Sequence, residues 1–146
     1  PPRERRDART LSRTARTNAQ ASLDRMRSEP ATPVYLMDMA ETLFANGNRL
    51  ARTAMTLEAM VDDMSELHRD LVGPLVREAS GALNTLADAL RDSRPPEGLP
   101  DLRSRQREII TALAGARGAG MADQMATITD RLVDNVNTIN HILQRR

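Results

Sequence analysis

The chain is 146 residues long, a length that predicts a single domain, and its 21 basic and 20 acidic residues leave a net charge of +1. It contains no cysteine, which excludes disulfide frameworks, thiolate metal sites and cysteine nucleophiles. Its apolar runs are far shorter than the roughly 20 residues of a membrane-spanning helix, and its two aromatic residues, Tyr35 and Phe44, are too few for stacking on single-stranded nucleic acid. We therefore expect a soluble domain with an aliphatic core.

Apolar residues recur every three or four positions from end to end, which predicts an all-α fold. We expect an antiparallel helical bundle of about five helices, two of them long, because an isolated amphipathic helix is marginal in water. The first helix is predicted over residues 4–28, since Pro30 and Pro33 disfavour its continuation. Its apolar stripe is thin and consists mostly of small residues: Ala8, Leu11, Ala15, Ala19, Leu23 and Met26.

The second helix is predicted over residues 34–71, because its apolar stripe keeps one phase through the turn-like sequence Asn46-Gly47-Asn48. Glycine inside a helix costs about 1 kcal/mol relative to alanine, so we attribute Gly47 to the close approach of another helix. The stripe comprises Leu36, Ala40, Leu43, Gly47, Leu50, Ala54, Leu57, Val61 and Met64.

The third helix is predicted over residues 74–92, because proline is tolerated in a first helical turn and Gly73-Pro74 would then mark a boundary. The proline-rich segment 94–100 is the firmest loop prediction in the chain. The apolar stripe of this helix comprises Val76, Ala79, Leu83, Leu86 and Leu90.

The fourth helix is predicted over residues 101–115 with Asp101 as its N-cap, and the fifth over residues 121–144. Three glycines within residues 115–120 predict a flexible connector between them. The stripe of the fourth helix comprises Leu102, Gln106, Ile109 and Leu113, with Ile110 beside it. The stripe of the fifth comprises Met125, Ile128, Leu132, Val136, Ile139 and Leu143.

The sequence carries no motif that predicts catalysis, so we expect no enzyme, no metal site and no cofactor. Its two histidines, His68 and His141, lie in neither a Glu-x-x-His nor a His-x-x-x-His pattern, and the glycine run 115–120 lacks the order of a phosphate-binding loop. A cluster of asparagines on the predicted fifth helix is explained either by a polar surface or by an interhelical hydrogen bond: Asn135, Asn137 and Asn140. An acidic patch near His68 fits either a solvated face or a weak cation site: Asp62, Asp63, Glu66 and Asp70.

Charge is distributed unevenly along the chain. Residues 1–29 hold eight arginines and four acidic residues, for a net +4, whereas residues 30–90 carry a net −5 and residues 91–146 a net +2. Such an arginine-rich start is compatible with nucleic-acid phosphates, with anionic lipid head groups, with the cytoplasmic flank of a transmembrane helix, or with an ordinary solvated face. The arginine cluster consists of Arg3, Arg5, Arg6, Arg9, Arg13 and Arg16.

Three segments resemble the FUSC family, the fusaric acid resistance and aromatic acid exporter-like proteins. They are, in order, residues 13–30 (RTARTNAQASLDRMRSEP), 94–102 (RPPEGLPDL) and 130–139 (DRLVDNVNTI), of which the first is the most specific. The resemblance implies an integral membrane protein of the bacterial inner membrane that exports aromatic acids or related toxic compounds. This chain would then be its C-terminal cytoplasmic domain, with the arginine cluster just past the membrane, and no transport residue is carried over because no transmembrane block is present.

The leading hypothesis is therefore a noncatalytic cytoplasmic bundle of a FUSC-like transporter that serves dimerisation or gating, with the transmembrane part of the same polypeptide as its partner. Anionic lipid head groups are further candidate partners. A homodimer is expected because Ala15, Ala19, Gly47 and Ala54 permit close helix approach, although a tight monomer core uses such residues equally. The alternative is a free-standing interaction or regulatory protein that binds a partner helix or, as the weaker option, DNA through Arg3 to Arg16.

Overall fold

The computed structural model describes residues 2–115 and 119–145, and these residues form an all-α fold, as the periodicity predicts. Five helices follow one another in this part of the chain, and no strand occurs among the described residues. The helices are α1 (Pro2–Ser28), α2 (Val34–Val61), α3 (Glu66–Arg91), α4 (Leu102–Ala114) and α5 (Ala119–Gln144).

The chain divides into two compact units, an N-terminal unit (Pro1–Ala51) and a C-terminal unit (Arg52–Arg146), and α2 runs through the boundary. In the N-terminal unit α1 and the first part of α2 are connected by a short turn after Ser28. An ion pair links them where Arg27 contacts Glu41 at 3.0 Å. In the C-terminal unit α3, α4 and α5 pack on one another.

The core of the C-terminal unit is aliphatic, as the composition predicts. The apolar stripes predicted for α4 and α5 are buried, except that Ile139 is half-buried and Ile110 is exposed. The predicted N-cap of α4 is confirmed, since the Asp101 carboxylate accepts the Ser104 backbone N–H at 3.0 Å. Side chains with less than two per cent exposure fill the centre: Leu75, Leu102, Met125, Val133, Val136 and Leu143.

The predicted boundary between the second and third helices is wrong. Helix α2 ends at Val61 rather than at residue 71, and α3 begins at Glu66 and continues through Pro74. Ser65 fixes this start, because its Oγ accepts the backbone N–H of His68 at 3.2 Å. A proline inside a helix costs about 3 kcal/mol, but the buried side chains of Val72 and Leu75 on either side contribute about 1.5–3 kcal/mol each.

The new start also changes the buried face of α3. The predicted stripe residues Val76, Leu83 and Leu90 lie beside the core, half-buried or exposed, and only Ala79 and Leu86 of that stripe are buried. The face that packs into the C-terminal unit keeps alternating steps of four and three across the proline. It comprises His68, Val72, Leu75, Ala79, Ala82, Leu86 and Ala89.

Helix α2 continues through Gly47 as predicted. A Cβ placed on Gly47 would have no neighbouring atom within 4 Å, so among the described residues no helix of the same chain approaches closely there, contrary to the predicted reason for this glycine. The buried positions along α2 agree with the predicted stripe only at Leu57, because Asn46 and Thr53 are also buried and Ala54 is exposed. Two of the three buried residues are polar, which an apolar-periodicity argument does not find.

The connector predicted at residues 115–120 is only partly described. Gly115 caps α4, and Gly120 lies inside α5, which begins at Ala119 rather than near Met121. Residues 116–118 lie outside the described residues. In the loop before α4, Gly98 has φ +70°, a left-handed conformation that favours glycine.

Candidate functional site

Helix α1 presents the arginine cluster on a surface that its own chain leaves uncovered. Every described residue from Pro2 to Ala19 is exposed, including Leu11 at 71%. The predicted apolar stripe of α1 is therefore wrong for most of its length: Leu23 is its only buried residue and Met26 is half-buried. The interactions of this exposed helix include local ones. Glu4 lies in its first turn, where a negative charge is favourable, and the hydroxyls of Thr10 and Thr17 donate to backbone carbonyls four residues earlier.

The arginines of the cluster differ in their partners. Arg5 and Arg9 each take part in a polar or electrostatic interaction. Within residues 2–115 and 119–145, the guanidinium groups of Arg3, Arg6, Arg13 and Arg16 have no ion-pair partner. The cluster therefore carries positive charge that the described chain does not neutralise.

Some arginines outside the cluster form ion pairs within the chain. Arg27 joins Asp24 and Glu41, at 3.1 and 3.0 Å. Arg103 on α4 reaches two carboxylates on α5, those of Asp130 and Asp134, the former at 2.6 Å. These pairs hold helices to their neighbours, so they are poor candidates for contacting a ligand.

A groove in the N-terminal unit collects part of the cluster. It has a volume of about 470 Å³, and its lining residues all come from α1 except Asn48 of α2. The α1 residues follow the spacing of one helix face. They are Arg13, Arg16, Thr17, Gln20, Ala21 and Asp24. Sequence analysis found Arg13 and Arg16 but missed Asn48, because its role depends on where the fold places α2 beside α1.

The two histidines differ in burial and in their hydrogen bonds. His68 is buried and its Nδ1 lies 3.1 Å from the Oγ of Ser65, while its Nε2 has no hydrogen-bond partner in the described structure. The same Oγ accepts the His68 backbone N–H, so the pair is explained as a helix cap. His141 is exposed on α5.

The acidic patch near His68 is spread over a turn and a helix start. Asp62 and Asp63 lie in the turn after α2, and Glu66 and Asp70 lie one helical turn apart on α3, all four exposed. Across the described ranges, no three His, Asp or Glu side chains are grouped so that they could hold a metal ion.

Hydrogen bonds lower the pKa of two carboxylates in the C-terminal unit. The Arg105 guanidinium contacts Glu78 at 2.8 Å, joining α4 to α3, and its hydrogen bond lowers the pKa of Glu78. The Ser104 backbone N–H and hydroxyl lower the pKa of Asp101 at the α4 N-cap. Both effects stabilise the carboxylate form, which is a structural role.

A second groove lies in the C-terminal unit between the end of α2 and α5. Its volume is about 380 Å³, and Met60 and Ile128 supply its apolar lining while Arg131 and Asp123 lie at its sides. Close to it, the buried amide of Asn135 donates to the Thr53 hydroxyl at 2.8 Å and joins α5 to α2. This is an interhelical hydrogen bond of the kind predicted for the asparagine cluster.

Among the described residues, the geometry therefore offers a basic helix, a groove lined mainly by polar side chains and a more apolar groove. Among the described helices, none combines the length and apolarity needed to cross a membrane. Comparison with protein-family models, with curated proteins and with solved structures finds no match to this chain.

Proposed function

We propose that this chain is a noncatalytic helical part of a FUSC-like membrane transporter, placed on the cytoplasmic side of the bacterial inner membrane. By that resemblance the transporter exports aromatic acids or related toxic compounds, and this part serves its assembly or gating. The observation that carries the proposal is the arginine cluster of α1, which is helical, exposed and in large part without an acidic partner in the described chain.

The density of the cluster supports a membrane-proximal role. Arginines are enriched in cytoplasmic segments within about 15–20 residues of a transmembrane helix, and this cluster places six arginines within residues 3–16. An arginine near an anionic leaflet contributes about 1 kcal/mol of attraction. Because α1 buries no residue before Leu23, it can lie along head groups without disturbing a core.

Exposure of small residues supports a second copy as partner. Ala15, Ala19 and Ala54 are exposed, and a Cβ on Gly47 would meet open space. Exposed small residues leave room for the close approach of a helix from a second copy. We infer that the transporter assembles as a homodimer, and sedimentation velocity over a concentration series should show a mass that rises toward twice that of the chain.

Topology tests the proposal directly. The upstream reading frame should encode apolar runs of about 20 residues. In the complete protein, freed of any other cysteines, the single variant Thr10→Cys should react with a membrane-impermeant maleimide in inside-out vesicles and stay unlabelled in intact cells. Ser80→Cys on the exposed side of α3 is the matched control and should behave in the same way. Labelling of Thr10→Cys in intact cells would overturn the proposal.

The groove between α2 and α5 favours a second candidate function, a free-standing interaction protein that binds a partner helix. Its apolar lining by Met60 and Ile128 is typical of helix recognition. A reading frame that starts with this chain would favour this alternative. DNA binding through α1 belongs to the same alternative and would show a steep loss of affinity with salt.

A further inference from the structure

We propose that the groove of the N-terminal unit is a binding site for the phosphate group of a phosphate ester, held by Arg13, Arg16 and Asn48. Only one part of this inference rests on the proposed function, namely the expectation that a lipid supplies the phosphate. The geometry, charge and free hydrogen-bond donors of the site are properties of the N-terminal unit itself.

The two arginines are placed to act on one anion. Arg13 and Arg16 are three residues apart, so their backbones are separated by about 4.5 Å along the axis and their side chains share one face. Neither guanidinium has an ion-pair partner in the described part of the chain. Each therefore keeps its planar fork of N–H donors available for an oxyanion.

Asn48 completes the site from the second helix. Its side chain is half-buried, lines the groove, and makes no hydrogen bond within the described residues. The amide can donate to an anion that both arginines contact. Thr17 contributes no donor, because its hydroxyl already donates to the Arg13 carbonyl at 3.1 Å.

The acidic residue of the groove does not cancel this charge. Asp24 accepts hydrogen bonds from Gln20 Nε2 at 3.0 Å and from Arg27 Nη1 at 3.1 Å. It also lies eight residues beyond Arg16, about 12 Å along the helix axis. Its carboxylate is thus neutralised locally and sits at the far end of the groove.

Donor geometry favours phosphate over carboxylate. Two guanidinium groups from α1 and an amide from α2 are donors on separate side chains, and a tetrahedral phosphate offers them acceptor oxygens in more directions than a planar carboxylate does. The groove, at about 470 Å³, also leaves room for the alcohol part of the ester beside small Ala21. Glycerol 1-phosphate is therefore a suitable probe.

The test is an NMR titration of the ¹⁵N-labelled chain with glycerol 1-phosphate at physiological ionic strength, followed on the Asn48 side chain and the Thr17 backbone amide. We expect saturable shifts, and we expect Arg13→Gln/Arg16→Gln to weaken binding by tenfold or more, since hydrogen bonds to charged groups each contribute about a factor of ten. Asn48→Ala, which leaves the charge unchanged, should weaken binding about tenfold for the same reason.

The matched control is Arg3→Gln/Arg6→Gln, which removes the same charge from the same helix outside the groove. These residues precede Arg13 by about 10 Å or more along the axis, beyond the Debye length of about 8 Å. Binding should therefore change by less than about twofold. Equal losses in both double variants, an unaffected Asn48→Ala variant, equal binding of acetate, or no saturable shift would each overturn the site.

A binding experiment with lipid vesicles identifies the source of the phosphate. Binding to phosphatidic acid vesicles that is displaced by glycerol 1-phosphate assigns a lipid head group, whereas binding of glycerol 1-phosphate without vesicle binding assigns a soluble ester. Both outcomes support the site. Failure of the proposed function would appear in the topology labelling and leave this titration unchanged, so the two failures are distinguishable.

Discussion

Replacing Asn135 by leucine should destabilise the C-terminal unit, because it removes the only donor that the described structure gives to the buried Thr53 hydroxyl. Asn135 is 9% exposed, Thr53 is 6% exposed, and their hydrogen bond measures 2.8 Å. A buried polar group left without its partner costs about 1–3 kcal/mol. For a chain of this size that corresponds to a fall in Tm of about 2–4 °C per kcal/mol.

Urea unfolding followed by circular dichroism at the helix band is the assay, since the chain has no tryptophan and one tyrosine. Thr53→Val and Asn135→Leu form a double-mutant cycle in which both partners become apolar at similar shape. Each single variant should be destabilised, but the double variant should lie close to the wild type, because neither polar group is then left unpaired.

Asn137→Leu is the control, because Asn137 is exposed two residues further along the same helix. Its stability should stay within about 0.5 kcal/mol of the wild type. If Asn135→Leu is no more damaging than this control, or if the effects of the two single variants simply add, the hydrogen bond does not join α2 to α5 and the reasoning is refuted.

Three further variants test the helices. Gly81→Ala should stabilise the chain by about 1 kcal/mol, because a Cβ there meets no atom within 4 Å; an unchanged urea midpoint would contradict this. Pro74→Ala should stabilise by up to about 3 kcal/mol if α3 is continuous, whereas a loss of stability would favour a helix boundary there. Glu78→Gln should lower stability at neutral pH, because Arg105 holds the folded pKa of Glu78 below its ordinary value. That deficit should be full above the ordinary glutamate pKa and vanish as pH falls through the lowered one, as urea midpoints across a pH series would show.

Sequence patterns predict α4 and α5 well because several local signals agree there. Asp101 caps α4, the loop before it is rich in proline, and the apolar residues of both helices keep one phase. Burial follows that phase in the structure. Agreement between cap, loop and stripe leaves few alternative helix boundaries.

The prediction of the α2–α3 boundary is wrong because the local signals and the tertiary packing disagree there. Gly73-Pro74 is a strong local signal for a break, but tertiary packing of α3 across Pro74 outweighs it. The true start depends on Ser65, which the continuous apolar stripe through Val61 and Met64 obscures. Short-range sequence reasoning cannot weigh a proline penalty against burial that depends on α4 and α5.

Of the candidate site, only the cluster of positive charge could be predicted from the sequence. Counting arginines along the chain finds the cluster on α1, and the structure places all six of its arginines on exposed positions. The groove was not predictable, because Asn48 joins Arg13 and Arg16 only when α2 folds beside α1. Nothing in the Asn-Gly-Asn sequence distinguishes a groove wall from a turn.

Hydrogen exchange of the membrane-anchored chain tests most directly whether α1 is the membrane-facing element. The chain has no cysteine, so one added before Pro1 allows a unique attachment to a maleimide lipid. On anionic vesicles, compared with neutral ones, exchange should slow within α1 and stay unchanged in α3, α4 and α5. Equal exchange of α1 on both kinds of vesicle, or slowing centred on the C-terminal unit, would contradict the account.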